Sequence, residues 1–307
     1  MNVKARVVIL NYNGKEMLLK CLPSVVEAAR FAKTPTSVTV LDNGSRDASE
    51  EYVRSNFPEI EWYQAPENLV LCSYNGYLAQ ITEPVAILLN NDIRVEKDFI
   101  DPLIKKFEED PDAFLVAPRV MSFDGASIEA VDTRAGIKCG MFWANARYHG
   151  YEAHAMVPSR TTASGFGAFS REKFVALGGY DLRYFPGIME DADLCLRAAR
   201  AGYHLYYEPR SVVYHMGQAS FKKAFSELKR ETLAYRNTFL FMWKHYSGMR
   251  FWAEHLLFLP LRMLWMILRG RFGFVLGFWG ALQRHFFKFP RLKKRGANMV
   301  PPLKKGE

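Results

Sequence analysis

The sequence predicts an α/β fold built on a mostly parallel sheet, and three observations carry that prediction. Over the first 120 residues, short β-branched runs alternate with stretches of helical periodicity, the pattern of successive βαβ units. One run, Val85-Ala86-Ile87-Leu88-Leu89, is apolar throughout, as a strand covered on both faces must be. Polar clusters stand directly after the strand-like runs, where open α/β sheets present their ligand sites.

Strands are expected at residues 5–10, 37–41, 60–63 and 84–89, and helices at 16–32, 48–56 and 97–109. Residues 122–162 are rich in Gly, Arg and aromatics with little periodicity, which reads as loops and irregular strands around a pocket. A compact strand comes next at 167–170, then a helix from Arg171. Residues 190–201 form a helix stopped by Gly202, with a strand at 204–207 and another, 212–217, carrying His215 near its end. From Phe221 the chain is helical and changes character. Its long segment 251–284 is dominated by Phe, Trp, Leu and Met but interrupted by Arg262, Arg269 and Arg271.

At 307 residues the chain can bury a full core. Its charge is uneven: residues 221–307 hold 18 Lys/Arg against 4 Asp/Glu, within a whole-chain net of +9. A mildly acidic body over residues 1–220 with a basic region over 221–307 implies two jobs. The longest uncharged stretch in the tail, residues 272–283, is twelve residues, short of the ~20 that span a bilayer. Aromatic-rich helices with Arg262 and Arg269 on one face, followed by six Lys/Arg between Arg284 and Arg295, match an interfacial helix on an anionic membrane surface. A helix packed on the body is the alternative. Cys21, Cys72, Cys139 and Cys195 have no zinc or redox spacing and read as reduced core residues of a cytosolic protein. The first apolar run, residues 7–10, is far too short for a signal peptide.

Five clusters carry possible chemistry. Asn11-Tyr12-Asn13-Gly14 stands after the first strand, and Asp42-Asn43-Gly44-Ser45 after the second; the Asp42 carboxylate suits a ribose hydroxyl or a base N–H. Each loop read singly is equally well a helix cap or turn. Asn90-Asn91-Asp92 ends the apolar strand, where a carboxylate can hold Mg²⁺ or Mn²⁺ together with substrate phosphates. Glu190-Asp191-Ala192-Asp193 opens a helix with more carboxylates than capping requires, and mutual repulsion raises the pKa of at least one toward that of a general base. Asp193 and Arg197, four apart, are expected to pair on the helix surface. A lone His215 is more often structural than a ligand. No G-x-G-x-x-G stands after the first strand and no P-loop motif is present, which disfavours dinucleotide oxidoreductases and P-loop NTPases.

In order, these pieces resemble the inverting family-2 glycosyltransferases of GT-A fold, especially the bacterial rhamnosyltransferase-like branch. The matching residues are Asn11 to Gly14, Asp42 to Ser45, Asn68 with Asn75-Gly76, Asn90-Asn91-Asp92, residues 165–169 including Gly167, Glu190 to Asp193 with Arg197, His215 with Gly217, and Tyr235-Arg236-Asn237. The resemblance covers about residues 5–245. It implies a nucleotide-diphospho-sugar donor contacted by Asn11, Asn13, Asp42, Asn43, Ser45, Asn68, Asn75, Asn90, Asn91 and Gly167. It implies Mn²⁺ or Mg²⁺ at Asp92, completed by His215. Asp191, with Glu190 beside it, would be the general base, and Asp193 and Arg197 would support the acceptor side. The donor implied is dTDP-rhamnose, and the acceptor a lipid-linked or cell-surface glycan at the cytoplasmic face of the membrane. Two positions depart from the family pattern: Asn90 stands where an Asp is usual, and Leu69-Val70-Leu71 stands where relatives often carry glycine.

The competing reading from another class is a membrane-associated nucleotide-sugar-binding protein without transferase activity. The carboxylates at 190–193 argue against it, because binding alone needs no base. Nucleic acid is an unsuitable partner, because the aromatics of the tail fall in long apolar runs instead of interleaving with the basic residues.

Overall fold

The computed structural model describes residues 3–217 and 225–286. The N-terminal part runs β1 (Ala5–Asn11), α1 (Lys15–Phe31), β2 (Thr36–Asp42), α2 (Ser49–Asn56), β3 (Glu61–Gln64), α3 (Ser73–Leu78), β4 (Val85–Asn90), β5 (Ile93–Val95) and α4 (Ile100–Glu109). It continues through β6 (Ala113–Ser122), β7 (Ile128–Ala130), β8 (Arg134–Lys138), β9 (Met141–Asn145), α5 (Tyr151–His154), β10 (Ser159–Arg160), β11 (Gly167–Ser170), α6 (Arg171–Ala176), α7 (Glu190–Arg200) and β12 (His204–His215). Three helices close the described chain: α8 (Glu227–His245), α9 (Met249–Leu268) and α10 (Phe272–Phe286). Residues 221–224 of the expected helix and the basic cluster after Phe286 lie outside the described residues.

The main sheet has the order β10-β12-β6-β11-β4-β1-β2-β3, with β5 beside β12 and β7 beside β6. Strands β3, β2, β1 and β4 are mutually parallel, and β6 is parallel to β12. Strand β11 runs antiparallel between β4 and β6, so the sheet is mixed at its centre. Alternate residues of β1 and β4 feed two cores. Val7, Ile9, Ile87 and Leu89 face a layer with Leu18, Leu22, Phe99 and Leu103 of the α1 and α4 side, while Val8, Ala86 and Leu88 face Tyr74, Tyr77, Phe169, Phe174 and Leu194. This is the α/β sandwich the sequence predicts, with helices on both faces.

Strand β6 was not foreseen, although it is central. Pro118 within it argues against an interior strand. The structure accommodates this residue at an irregularity, opposite Glu208, where the β12 pairing slips between Glu208 and Val212. The same slip joins the two expected strands 204–207 and 212–217 into one twelve-residue strand.

The C-terminal helices pack on the body. Phe239, Phe241, Met242, Phe251 and Phe274 form a third core with Tyr184, Phe142 of β9, and Met189, Ala192 and Leu196 at and along α7. The β8–β9 hairpin turns through Gly140 at φ +64°, and a Cβ there would stand 2.3 Å from the His255 backbone nitrogen. His255 Nδ1 donates to the Gly140 carbonyl at 2.7 Å. The inner face of this region is therefore core, as the alternative of a helix packed on the body has it, while the outer face of α9 exposes Leu256, Leu257, Leu261, Leu264, Trp265 and Leu268. By length and composition α9 is one helix apolar enough to cross a membrane, with 22% of that window buried.

Candidate active site

A cleft of about 1550 Å³ lies at the carboxyl ends of β1 and β4, walled on its other sides by residues 185–190, by α8 and by the α9–α10 turn. That exceeds the ~300–1,000 Å³ of a single small-ligand pocket and leaves room for two substrates. Among the sequence-predicted residues it gathers Asn11, Asn43, Asn68, Asn90, Asn91, Asp92, Glu190 and His215.

Asp92 and His215 meet because β5 runs antiparallel to β12 with Ile93 opposite His215, and Met216 N donates to the Asp92 carbonyl. His215 Nε2 is 3.7 Å from Asp92 Oδ2. Asp92 Oδ1 is buried with no hydrogen-bond partner, an oxygen lacking its complement. Burial pushes the Asp92 carboxyl up, the charge of His215 opposes this, and Glu129 adds to it. On the other ring nitrogen, His215 Nδ1 lies 3.2 Å from Glu129 Oε2. A carboxylate on the far imidazole nitrogen is the arrangement that fixes the tautomer of a metal-binding histidine. Among the described residues no group of three or more His, Cys, Asp or Glu side chains gathers around one point. The protein offers two ligands, which fits Mg²⁺ or Mn²⁺, ions that bind through one or two side chains plus substrate phosphates.

Glu190 and Asp191 open α7. Glu190 lines the cleft, is buried, and leaves Oε2 without a partner. Burial first, and then the charge of Asp191, push its carboxyl up to about 8. Asp191 is half-buried, its carboxyl also raised by burial, and Oδ1 accepts from Ala192 N at 2.8 Å. Its Oδ2 faces the cleft-lining Gly165, where a Cβ would lie 3.3 Å away. Burial thus raises both carboxyls of the pair, and the charge of Asp191 raises Glu190 further.

Several predicted contacts belong to the frame behind the cleft instead. Asp42 is fully buried, and its oxygens accept from Asn11 Nδ2 (2.9 Å), Gly44 N (3.0 Å), Ser45 N (2.7 Å) and Ser45 Oγ. Ser45 Oγ accepts from Asn13 N at 2.8 Å, and Asn13 Oδ1 accepts from Arg46 N, so Asn13, Asp42 and Ser45 lace the two loops together. Asn91 Nδ2 donates to Asn11 Oδ1 and ties in the third strand end. Asn75 bonds both backbone groups of Tyr180, linking α3 to the turn before α7. Gly167 is buried within β11 at φ +139°, where a Cβ would stand 2.6 Å from the Val116 carbonyl; its role is sheet closeness. Asp193 and Arg197 do pair, at 2.7 Å, but not on the surface: Asp193 is fully buried and also accepts from Tyr184 Oη, Lys244 Nζ and His245 Nε2. Arg197 donates to the Leu177 and Gly179 carbonyls.

Local sequence reading missed several groups at the site. Glu129, which reaches His215 from behind, lies in the aperiodic middle segment and carries no local signal. Phe185 to Ile188, Arg230, Glu231, Tyr235 and Arg271 come from connections and from the C-terminal helices. Only the Tyr235-Arg236-Asn237 step marked that region.

The family model for glycosyl transferase family 2 matches residues 6–178. Among curated proteins, the N-acetylglucosaminyl-diphospho-decaprenol L-rhamnosyltransferases of two Mycobacterium tuberculosis strains, CDC 1551 / Oshkosh and H37Rv, are each 26% identical over 267 residues, covering 79% of this chain and 85% of theirs. Among solved structures, GalNAc-T7 with UDP, GalNAc and Mn²⁺ superposes with a TM-score of 0.58 at 17% identity, covering 78% of this chain and 47% of that one. This chain thus spans about half the length of that protein. S. aureus TarS 1-349 gives a TM-score of 0.51 at 12% identity, covering 83% and 79%. These two share the fold.

Proposed function

This chain belongs to glycosyl transferase family 2, and from that premise we propose that it transfers a sugar, with inversion, from a nucleoside-diphosphate donor to a lipid-linked glycan. The observation that carries the reading is one cleft lined by the Asp92–His215 pair, with an Asp92 oxygen that has no partner among the described residues, and by Glu190, with Asp191 behind the cleft-lining Gly165. The name of the mycobacterial relatives favours L-rhamnose as the sugar and a diphosphate-linked polyprenol as the acceptor. The nucleotide we assign is dTDP.

Asn11, Asn43, Asn68, Asn90 and Asn91 line the cleft and would contact the donor. Asp92 and His215 would hold a divalent cation, Mn²⁺ or Mg²⁺, which neutralises charge developing on the leaving diphosphate when bound. Asp191 accepts the proton of the acceptor hydroxyl as that oxygen bonds to the anomeric carbon. The bond from that carbon to the diphosphate oxygen breaks on the opposite face, and the electron pair leaves with the diphosphate. Glu190, protonated at neutral pH, adds no second charge beside the base.

The test is a donor panel with Mn²⁺ and a lipid-linked acceptor extract, scored by mass change of the acceptor. Asp191→Asn is expected to abolish transfer while donor affinity stays nearly intact. Full turnover by that variant removes Asp191 from the role, and no mass gain with any donor removes the activity.

A further inference from the structure

We propose that Asn237, in α8, is a positioning residue for transfer: it holds the 184–189 segment in the strained form that presents Glu190 and Asp191 to the cleft. The proposal rests on the reading of that pair as the proton-accepting site.

Three observations converge on it. Ile188 and Met189 are consecutive non-glycine residues in left-handed backbone, with φ of 76° and 81°. Ile188 is β-branched, so its left-handed conformation is a steric outlier that persists only where its surroundings enforce it. The enforcing group is visible. Asn237 is fully buried, and its Nδ2 donates to the carbonyls of Tyr184 (2.7 Å), Gly187 (2.7 Å) and Ile188 (2.9 Å). Its neighbour Arg236 donates through Nη2 to the Phe185 carbonyl and through Nε to Asn237 Oδ1, fixing which way the amide points.

The strained residues also set the start of α7. Met189 precedes that helix, and its carbonyl accepts from Asp193 N at 2.9 Å in the first turn. Relaxing residues 188 and 189 to ordinary backbone would turn the first residues of α7, which are Glu190 and Asp191. A buried amide spent on a satisfied core contact would need one or two carbonyls of any conformation. This one shares its two N–H groups among the carbonyls of Tyr184, Gly187 and Ile188, the last two immediately before and within the strain.

The experiment compares steady-state transfer and donor affinity in the full chain. In Asn237→Ala, kcat is expected to fall on the order of 10²-fold, the cost of an ångström-scale misplacement, while donor KM stays within about threefold of the wild type. Glycine adopts left-handed backbone without penalty, so adding Ile188→Gly to Asn237→Ala is expected to recover about tenfold or more in kcat. A purely structural asparagine would lower the melting temperature without that recovery. A folded Asn237→Ala enzyme turning over at the wild-type kcat overturns the proposal. Should Asn237→Ala not fold alone, the pair with Ile188→Gly carries the test: kcat within about tenfold of the wild type supports it, and a loss of 10²-fold or more overturns it. Wild-type protein inactive with every donor would instead sink the functional reading beneath it.

Discussion

Burial and the neighbouring Asp191 raise the Glu190 carboxyl far above the usual glutamate range. A carboxyl whose folded value is raised contributes stability that is complete below the ordinary glutamate range and is lost as pH climbs through the raised value. Because Glu190 sits at about 8, wild-type protein should lose melting temperature between pH 5 and 8.5, and Glu190→Gln should lose less, by roughly 2–4 °C for each kcal/mol relieved. Transfer by Glu190→Gln should stay within about tenfold of wild type at pH 7, where the native group already carries its proton. Parallel melting curves for the two proteins over this range would show that Glu190 is ordinary. Individual residues were legible in the sequence where a polar side chain stands at a strand end or opens a helix: Asp92, His215 and Glu190 were all named from local context, and all three line the cleft. Asp42 and Ser45 were named too, but a carboxylate after a strand can bond its own loop as readily as a ligand, and only the three-dimensional count of its partners decides. Val70 shows the reverse case. It lies in the segment after Asn68 that departs from the expected pattern, and it has φ 53° beside the cleft, a backbone strain that the residue type alone concealed.

At the scale of elements, α7 and α8 are joined by a buried charge cluster around Asp193. Burial alone would raise the Asp193 carboxyl, but hydrogen bonds from His245 and Lys244 and the pairing with Arg197 hold it well below the usual range. A carboxyl depressed in this way contributes stability above the ordinary aspartate range and loses it as pH falls through the depressed value. Asp193→Asn is therefore expected to cost about 3–5 kcal/mol at pH 7, the penalty of leaving buried cations uncompensated. Denaturant titrations at pH 7 and pH 3 check this, and the gap between the proteins should narrow at the lower pH. An unchanged midpoint at pH 7 would show that the cations find other partners. Elements with clear periodicity were foreseen nearly to their ends: α1, α2, β1, β4, β11 and α7 each match within a few residues. Strand β6 was hidden because Pro118 signals an edge, and the compensating slip lies in β12, nearly a hundred residues away, where no local window sees it.

For the whole molecule, the outer face of α9 and α10 is the largest unexplained surface. Leu256, Leu257, Leu261, Leu264, Trp265 and Leu268 project from it, and Trp279 extends it onto α10. We assign this face to a lipid surface, which would bring the cleft-lining Gly270 and Arg271 beside the headgroups. At about 1.5–3 kcal/mol for each large side chain buried, replacing Leu257, Leu261 and Trp265 together by serine should weaken vesicle binding by more than 10²-fold. Flotation with phosphatidylcholine–phosphatidylglycerol vesicles measures it, and a triple variant that still floats would place the contact elsewhere. The charge split between body and tail was readable from composition, whereas the shared core was not, since nothing local says that Phe239 and Phe274 meet Tyr184 and Met189. That shared core sets an order of events during synthesis. When the ribosome has made the family-matched segment and β12, Asp193 still lacks Lys244 and His245, and Ile188 and Met189 still lack Asn237. The nascent chain can already display Asp92 beside His215, yet catalysis waits for α8 to emerge. The segment that completes the site thus comes just before the α9–α10 face that we assign to a lipid surface.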